Sequence, residues 1–336
     1  MKPKSSDNSS SVLITGGSGF VGSHLAERLL KLNHRVSIID NLSTGCQQNI
    51  TDIEKQQNFR FVVESASNEE VMHSLAKECD TIVHLAASVG VKLVIDDPAK
   101  AIDNNIETTN VVLKVARRFH CKVLIVSTSE VYGRGNTLPF KEDDSLVIGP
   151  PLFDRWSYAA SKLLTEFLAL SYYRKENLPV IVSRLFNTVG PRQVGEYGMV
   201  IPRFINQALR GEPLTVYGDG SQTRCFLHVH DAVDALMALI KSQSAVGQIF
   251  NVGSTHEISI LVLAKKIIAL TSSHSTKNDP GKIAFIPYNK VYGNYFEDMC
   301  RRVPDITKIK KLIGWEPKYS LEETLQDIII STALFN

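Results

Sequence analysis

Tyr158 and Lys162 lie four residues apart in the run SYAASK, so a helix there puts a phenol and an ammonium on one face. A cation near a phenol favours the phenolate, and a phenol so tuned can exchange a proton with an alcohol. Upstream, the apolar run VLIV gives way to STSEVYG, which sets Thr128 and Glu130 where a strand runs out. For Glu130 three roles stand open: a base toward a carbon acid, a group that positions a hydroxyl, or a cap on the strand end. Nearer the start, LITGGSGFVGSHLAERLL places Gly16, Gly17, Gly19 and Gly22 between a strand and a helix. Glycines at such a junction let the backbone close on a pyrophosphate held at the helix N-terminus. Asp40 closes the second strand, where a carboxylate accepts hydrogen bonds from both hydroxyls of an adenosine ribose and repels a 2′-phosphate. NAD is therefore the expected cofactor, not NADP.

The elements that must position these groups follow from periodicity. Short apolar runs at Val12–Ile14, RVSIID, FRFVVE, TIVHLAA, KVLIVSTS and PVIVSRLF alternate with helical patterns, of which AIDNNIETTNVVLKVARRF and SYAASKLLTEFLALSYYRKE are the longest. Such alternation predicts an α/β fold, a doubly wound parallel sheet of Rossmann type with helices on both faces and a smaller C-terminal α/β region. The expected organisation is a disordered polar tail over 1–11, a cofactor domain over 12–186 and a substrate region over 187–336. QIFNVG, near 248–253, reads as a strand returning to the first sheet, and SSHSTKNDPGK reads as a flexible loop.

Composition narrows the partners. The 336 residues are 43% hydrophobic and 21% charged with a formal net charge of +2, which gives no reason to expect nucleic acid or an acidic membrane. The polar opening lacks the apolar core of a signal peptide, and no apolar run reaches the roughly 18 residues that a membrane span needs. Five scattered cysteines without metal-ligand spacing suggest reduced thiols in a cytoplasmic protein, with neither a disulfide framework nor a metal site.

Taken together, TGGSGFVGS, HLAA, STSEVYG, YAASK and RLFNTVGPR resemble the extended short-chain dehydrogenase/reductases, in their nucleotide-sugar epimerase, dehydratase and decarboxylase branch. The resemblance implies that Tyr158, Lys162, Thr128 and Glu130 form the catalytic group. It puts Gly16, Gly19, Phe20, Gly22, Asp40, Asn41, Leu85, Ala86, Asn105 and Lys162 on NAD. It assigns Thr128, Glu130, Asn187, Arg224 and Arg301 (or its neighbour Arg302) to a nucleoside-diphosphate sugar, with UDP the expected nucleotide. His84 reads as scaffolding. A homodimer joined through a four-helix interface, built from helices 101–119 and 156–176, is implied as well.

Every reaction of that branch begins by oxidising the sugar at C4. Dehydratases of the branch carry an Asp-Glu pair after the threonine, whereas this chain has Ser129-Glu130. TSEVYG, PLTVYGDGSQTR and RRVPDITKIKKLIGWEP resemble UDP-glucuronate decarboxylases, yet AASVGV, YAASK and GMVIPRF depart from their pattern. The expectation is an NAD-dependent UDP-hexose 4-epimerase, with UDP-glucuronate decarboxylase as the alternative and 4,6-dehydratase behind it. A catalytically silent NAD-binding sensor is the alternative of a different class.

Overall fold

The computed structural model describes residues 10–195, 198–272, 282–293 and 296–335. The polar tail through residue 9 and most of the SSHSTKNDPGK loop lie outside the described residues. The chain opens with β1 (Ser11–Thr15), α1 (Phe20–Lys31), β2 (Arg35–Asp40), β3 (Phe59–Val63), α2 (Glu69–Lys77) and β4 (Thr81–His84). There follow α3 (Val91–Asp96), α4 (Pro98–Phe119), β5 (Lys122–Thr128), α5 (Arg155–Glu176) and β6 (Val180–Leu185). β1 starts one residue before its apolar run because Asp80 accepts hydrogen bonds from both the backbone N–H and the hydroxyl of Ser11, each at 2.9 Å.

The second region carries β7 (Thr188–Val189), α6 (Val200–Leu209), β8 (Leu214–Tyr217), β9 (Thr223–Cys225), β10 (Leu227–His228) and α7 (Val229–Lys241). From there β11 (Ile249–Val252) runs back alongside β6, and the chain closes with β12 (Glu257–Ser259), α8 (Ile260–Thr271), β13 (Ile283–Ile286), α9 (Tyr288–Tyr292), α10 (Thr307–Ile313) and α11 (Leu321–Phe335).

The main sheet has the order β11-β6-β5-β4-β1-β2-β3, with every pairing parallel. The α/β, doubly wound Rossmann expectation thus describes the fold. β1 and β4 are buried at every position, as strands covered on both faces must be. Leu25 and Leu29 of α1 with Val233 and Leu236 of α7 cover one face, and Met72, Val112, Ala116 and Ala169 cover the other. A further core joins Phe204 of α6, Leu263 of α8 and Ile328 of α11.

Strand order reverses between β1 and β4, and in open α/β sheets a ligand sits outside the carboxyl ends of the strands at that crevice. The helices that line it have definite ends. Asp97 caps α4 by accepting from the Lys100 N–H at 3.0 Å, with Pro98 in the first turn, and His120 ends it in the left-handed region at φ 55°. Beneath the strand end, Tyr132, Phe140, Trp156 and Phe186 pack into one buried cluster, which gives the 3-10 turn Ser129–Tyr132 a rigid floor.

Candidate active site

A cavity of about 480 Å³ runs from the glycine loop to Arg302 across the carboxyl ends of the strands. At one end, a Cβ on Gly22 would fall 2.2 Å from the Gly16 carbonyl oxygen, and one on Gly16, at φ +71°, would meet the Ala86 backbone at 2.8 Å. The glycines therefore let loop, helix and β4 close together at the place where a pyrophosphate meets the N-terminus of α1. Asp40 is buried. Its Oδ2 accepts from the Ser18 N–H at 3.0 Å and its Oδ1 from the Leu42 N–H at 2.9 Å, which fixes the carboxylate at the cavity wall. Each oxygen keeps acceptor capacity for a ribose hydroxyl. The Ser18 hydroxyl is buried with no partner among the described residues. This set of groups fits NAD.

Phe20, Asn41, Leu85 and Ala86 line the cavity with them, as do Thr128, Glu130, Tyr158, Lys162, Asn187 and Arg224. Asn105 does not. Its Oδ1 accepts from the Ser88 N–H at 2.8 Å and its Nδ2 donates to the Ser161 hydroxyl at 3.0 Å, so it ties the loop after β4 to α5 from below. Thr108, where the family pattern has glycine, donates to the Asn104 carbonyl at 2.7 Å and is accommodated without a break in α4. His84 bonds Thr15 at 2.8 Å and Thr109 at 3.0 Å, and burial pushes its pKa down to about 3, so it is a neutral brace.

The reactive group assembles from two elements. β5 ends in Thr128, α5 carries Tyr158 and Lys162 on its first two turns, and the Thr128 side chain hydrogen-bonds the phenol. Burial lowers the Lys162 pKa to about 8 against the supporting charge of Glu166. Contrary to the expectation that Lys162 draws the phenol down, the Tyr158 pKa is raised: burial dominates, the Glu130 charge adds to it, and the Thr128 bond and Arg302 only partly offset them.

Around Glu130 the structure brings together residues that spacing alone does not connect. Arg155 Nη2 donates to Glu130 Oε2 at 2.9 Å, and its Nη1 donates to Asp298 Oδ1 at 2.5 Å. Arg302 Nη1 donates to Glu130 Oε1, also at 2.5 Å. Burial alone would raise the Glu130 pKa, but the two guanidiniums outweigh it and hold it at about 2. At Arg302 burial wins, and its pKa falls to about 10. The Nε atoms of Arg155 and Arg302 are buried and unpartnered among the described residues.

Arg301 lies outside the cavity. It is exposed and pairs with Glu257 at 2.7 Å, and Arg302 takes the inward place. Arg224 reaches the cavity with its fork engaged, Nη2 donating to both Asp298 oxygens at 2.9 Å. Asn187 donates to the Cys225 carbonyl at 3.0 Å. Cys225 itself is buried, its thiol pushed up to about 12 by burial, as befits packing rather than reactivity. The arrangement can therefore move a proton at an alcohol beside a dinucleotide, with the Arg155 and Arg302 guanidiniums lining the same cavity.

The sequence matches the family model described as GDP-mannose 4,6 dehydratase over residues 13–328. It is 43% identical over 318 residues to UDP-N-acetyl-alpha-D-glucosaminuronate decarboxylase of Bacillus cytotoxicus, covering 94% of this chain and 96% of that one. Identity to UDP-glucuronic acid decarboxylase 1 of Danio rerio is 38% over 318 residues, 95% of this chain and 71% of the relative. The crystal structure of UDP-glucuronic acid 4-epimerase from Bacillus cereus, in complex with UDP-glucuronic acid and NAD, aligns with a TM-score of 0.86 at 27% identity, covering 97% of this chain and 100% of that one.

Proposed function

The chain belongs to the GDP-mannose 4,6-dehydratase family, within the nucleotide-sugar branch of the extended short-chain dehydrogenase/reductases, and from that premise we propose that it is an NAD-dependent decarboxylase of a UDP-linked hexuronic acid. The observation that carries this reading is the clamp of Arg155 and Arg302 on Glu130 beside Tyr158. Three guanidiniums, from Arg155, Arg224 and Arg302, face two carboxylates, Glu130 and Asp298, which leaves one positive charge at the sugar end of the cavity. A UDP-linked neutral hexose can meet that charge only with its diphosphate, whereas a uronate brings a carboxylate of its own to it. The likeness to two decarboxylases supports the same reading and moves the earlier 4-epimerase expectation to second place.

NAD⁺, held by the glycine loop and Asp40, would supply a reversible hydride acceptor for C4 and a positive charge that favours the Tyr158 phenolate. Tyr158 takes the proton of the 4-hydroxyl, and Thr128 holds the phenol in place for that transfer. With C4 a carbonyl, the substrate is a β-keto acid. The C5–C6 bond breaks, its electron pair moves toward the C4 oxygen, and CO₂ departs. The Tyr158 hydroxyl stabilises the resulting enolate, C5 takes up a proton from solvent water in place of the lost carboxylate, and Tyr158 gives its proton back to the C4 oxygen as that carbon is reduced. Glu130 stays ionised and weakly basic, so its part is to aim the two arginines rather than to abstract a proton at C5. Dehydration lacks its acid, since Ser129 stands where an aspartate would be needed.

Leu164 and Phe167 are exposed on α5, and with α4 alongside they offer a face on which a second copy would pack as a homodimer. A 4-epimerase acting on the same uronate is the second reading, favoured by the likeness to the Bacillus cereus enzyme. Incubation with NAD and UDP-glucuronate or UDP-N-acetylglucosaminuronate separates the two. Product lighter by one CO₂ is expected; unchanged mass with inverted C4 supports the epimerase, and no turnover of either sugar refutes both.

A further inference from the structure

Behind the reacting groups sits a buried cluster that the mechanism leaves unused. The Ser127 hydroxyl donates to Glu166 Oε1 at 2.5 Å, and Arg184 of β6 grips the same carboxylate through Nε at 3.0 and 3.2 Å and Nη2 at 2.7 Å. All three residues are buried. Ser127 directly precedes Thr128 on β5, and Glu166 lies one helical turn beyond Lys162 on α5. The groups that must meet for proton transfer thus stand on two separate elements, and this pair joins those elements immediately behind them.

Apolar packing between a helix and a sheet is non-directional and tolerates small slides. A hydrogen bond to a carboxylate fixed from two sides does not. Stability alone is a weak reason for the cluster, because taking a glutamate and an arginine out of water costs about as much as their attraction returns. Position is the better one. We propose that Ser127 and Glu166 are a positioning pair that holds α5, with Tyr158 and Lys162, in register with the Thr128 end of β5. The inference rests on the proposed function only in taking Tyr158 as the group that accepts the C4 hydroxyl proton.

The same placement has an electrostatic consequence. Lys162 faces Glu166 from its own helix and the neutral His84 from β4, and Glu166 is the group that supports its ammonium against burial. Removing the Glu166 charge lowers the Lys162 pKa, so the ammonium is lost at lower pH.

The test uses the NAD-loaded enzyme with UDP-glucuronate and follows C4 oxidation by nicotinamide absorbance in a single turnover. That step precedes decarboxylation and epimerisation alike, so the readout survives if the CO₂-losing step proves wrong. Ser127→Ala should slow oxidation by about 10-fold or more with substrate affinity within about twofold, and Ser127→Thr, which keeps the hydroxyl, should restore most of the rate. Glu166→Gln should move the alkaline limb of the rate profile by about one pH unit toward acid. Full-rate Ser127→Ala with only a lowered melting temperature, or an unmoved limb in Glu166→Gln, would overturn the inference. Should Glu166→Gln fail to fold, the two Ser127 variants decide.

Discussion

Replacing Glu130 by glutamine keeps the shape of the side chain and removes the charge that Arg155 and Arg302 share. Those two guanidiniums hold the Glu130 pKa at about 2 in place of the ordinary 4.5, although burial acts the other way. A fall of that size corresponds to about 3 kcal/mol of stability at neutral pH. The same burial drives Arg302 down to about 10, and by the same linkage that fall costs about as much as the Glu130 shift contributes. The pair as a whole is therefore close to neutral, and the cost appears when one partner is removed and the other is left buried with its charge unpaired. Glutamine also leaves Arg302 without a carboxylate partner among the described residues. Urea denaturation at pH 7 should then show Glu130→Gln less stable by about 2 to 3 kcal/mol with an unchanged m-value. The pH dependence has a definite sign. Because the folded-state pKa lies below the unfolded one, the stabilisation is complete above about 4.5 and is lost as pH falls toward 2. Wild type and variant should converge over that window. In the same variant kcat for uronate decarboxylation should fall by about 100-fold, because the arginines lose the anchor that aims them. A variant as stable as wild type at pH 7, or a deficit that persists unchanged into acid, would refute the argument.

Other expectations follow from the same geometry. Tyr158→Phe should reduce turnover by about 1,000-fold while leaving NAD and nucleotide-sugar affinity within about twofold by calorimetry, since one hydroxyl goes and the packing stays. Gly22→Ala should purify without bound nicotinamide, because its new methyl would sit 2.2 Å from the Gly16 carbonyl oxygen; retention of NAD would contradict the loop geometry. Phe167→Glu, at a residue 60% exposed on α5, should shift light scattering from dimer to monomer mass if that face joins two copies.

What could be read in the sequence was local. The glycine loop, Asp40 at a strand end and the Tyr158–Lys162 spacing each lie within one or two adjacent elements, where periodicity and turn chemistry act directly. Arg155 carries no local signal, because nothing near it in FDRWSY marks a site. Its partner Asp298 lies 143 residues away, and only the fold brings the two together. Arg301 and Arg302 are consecutive in an extended stretch, so their side chains face opposite ways, and which one points inward depends on Glu257 waiting on the outer side. Asn105 has the polarity expected of a cofactor ligand, but burial beneath the loop turns that polarity to holding Ser88 and Ser161. The Tyr158 pKa departs from the sequence expectation for a related reason: spacing shows a neighbouring lysine and does not show how deeply the phenol is buried.

Mass spectrometry of the sugar nucleotide released from the NAD-loaded enzyme after incubation with UDP-glucuronate or UDP-N-acetylglucosaminuronate addresses the whole account most directly. A pentose-type product lighter by one CO₂, formed with no net consumption of NAD, is the predicted result. Unchanged mass, with or without inversion at C4, would contradict it.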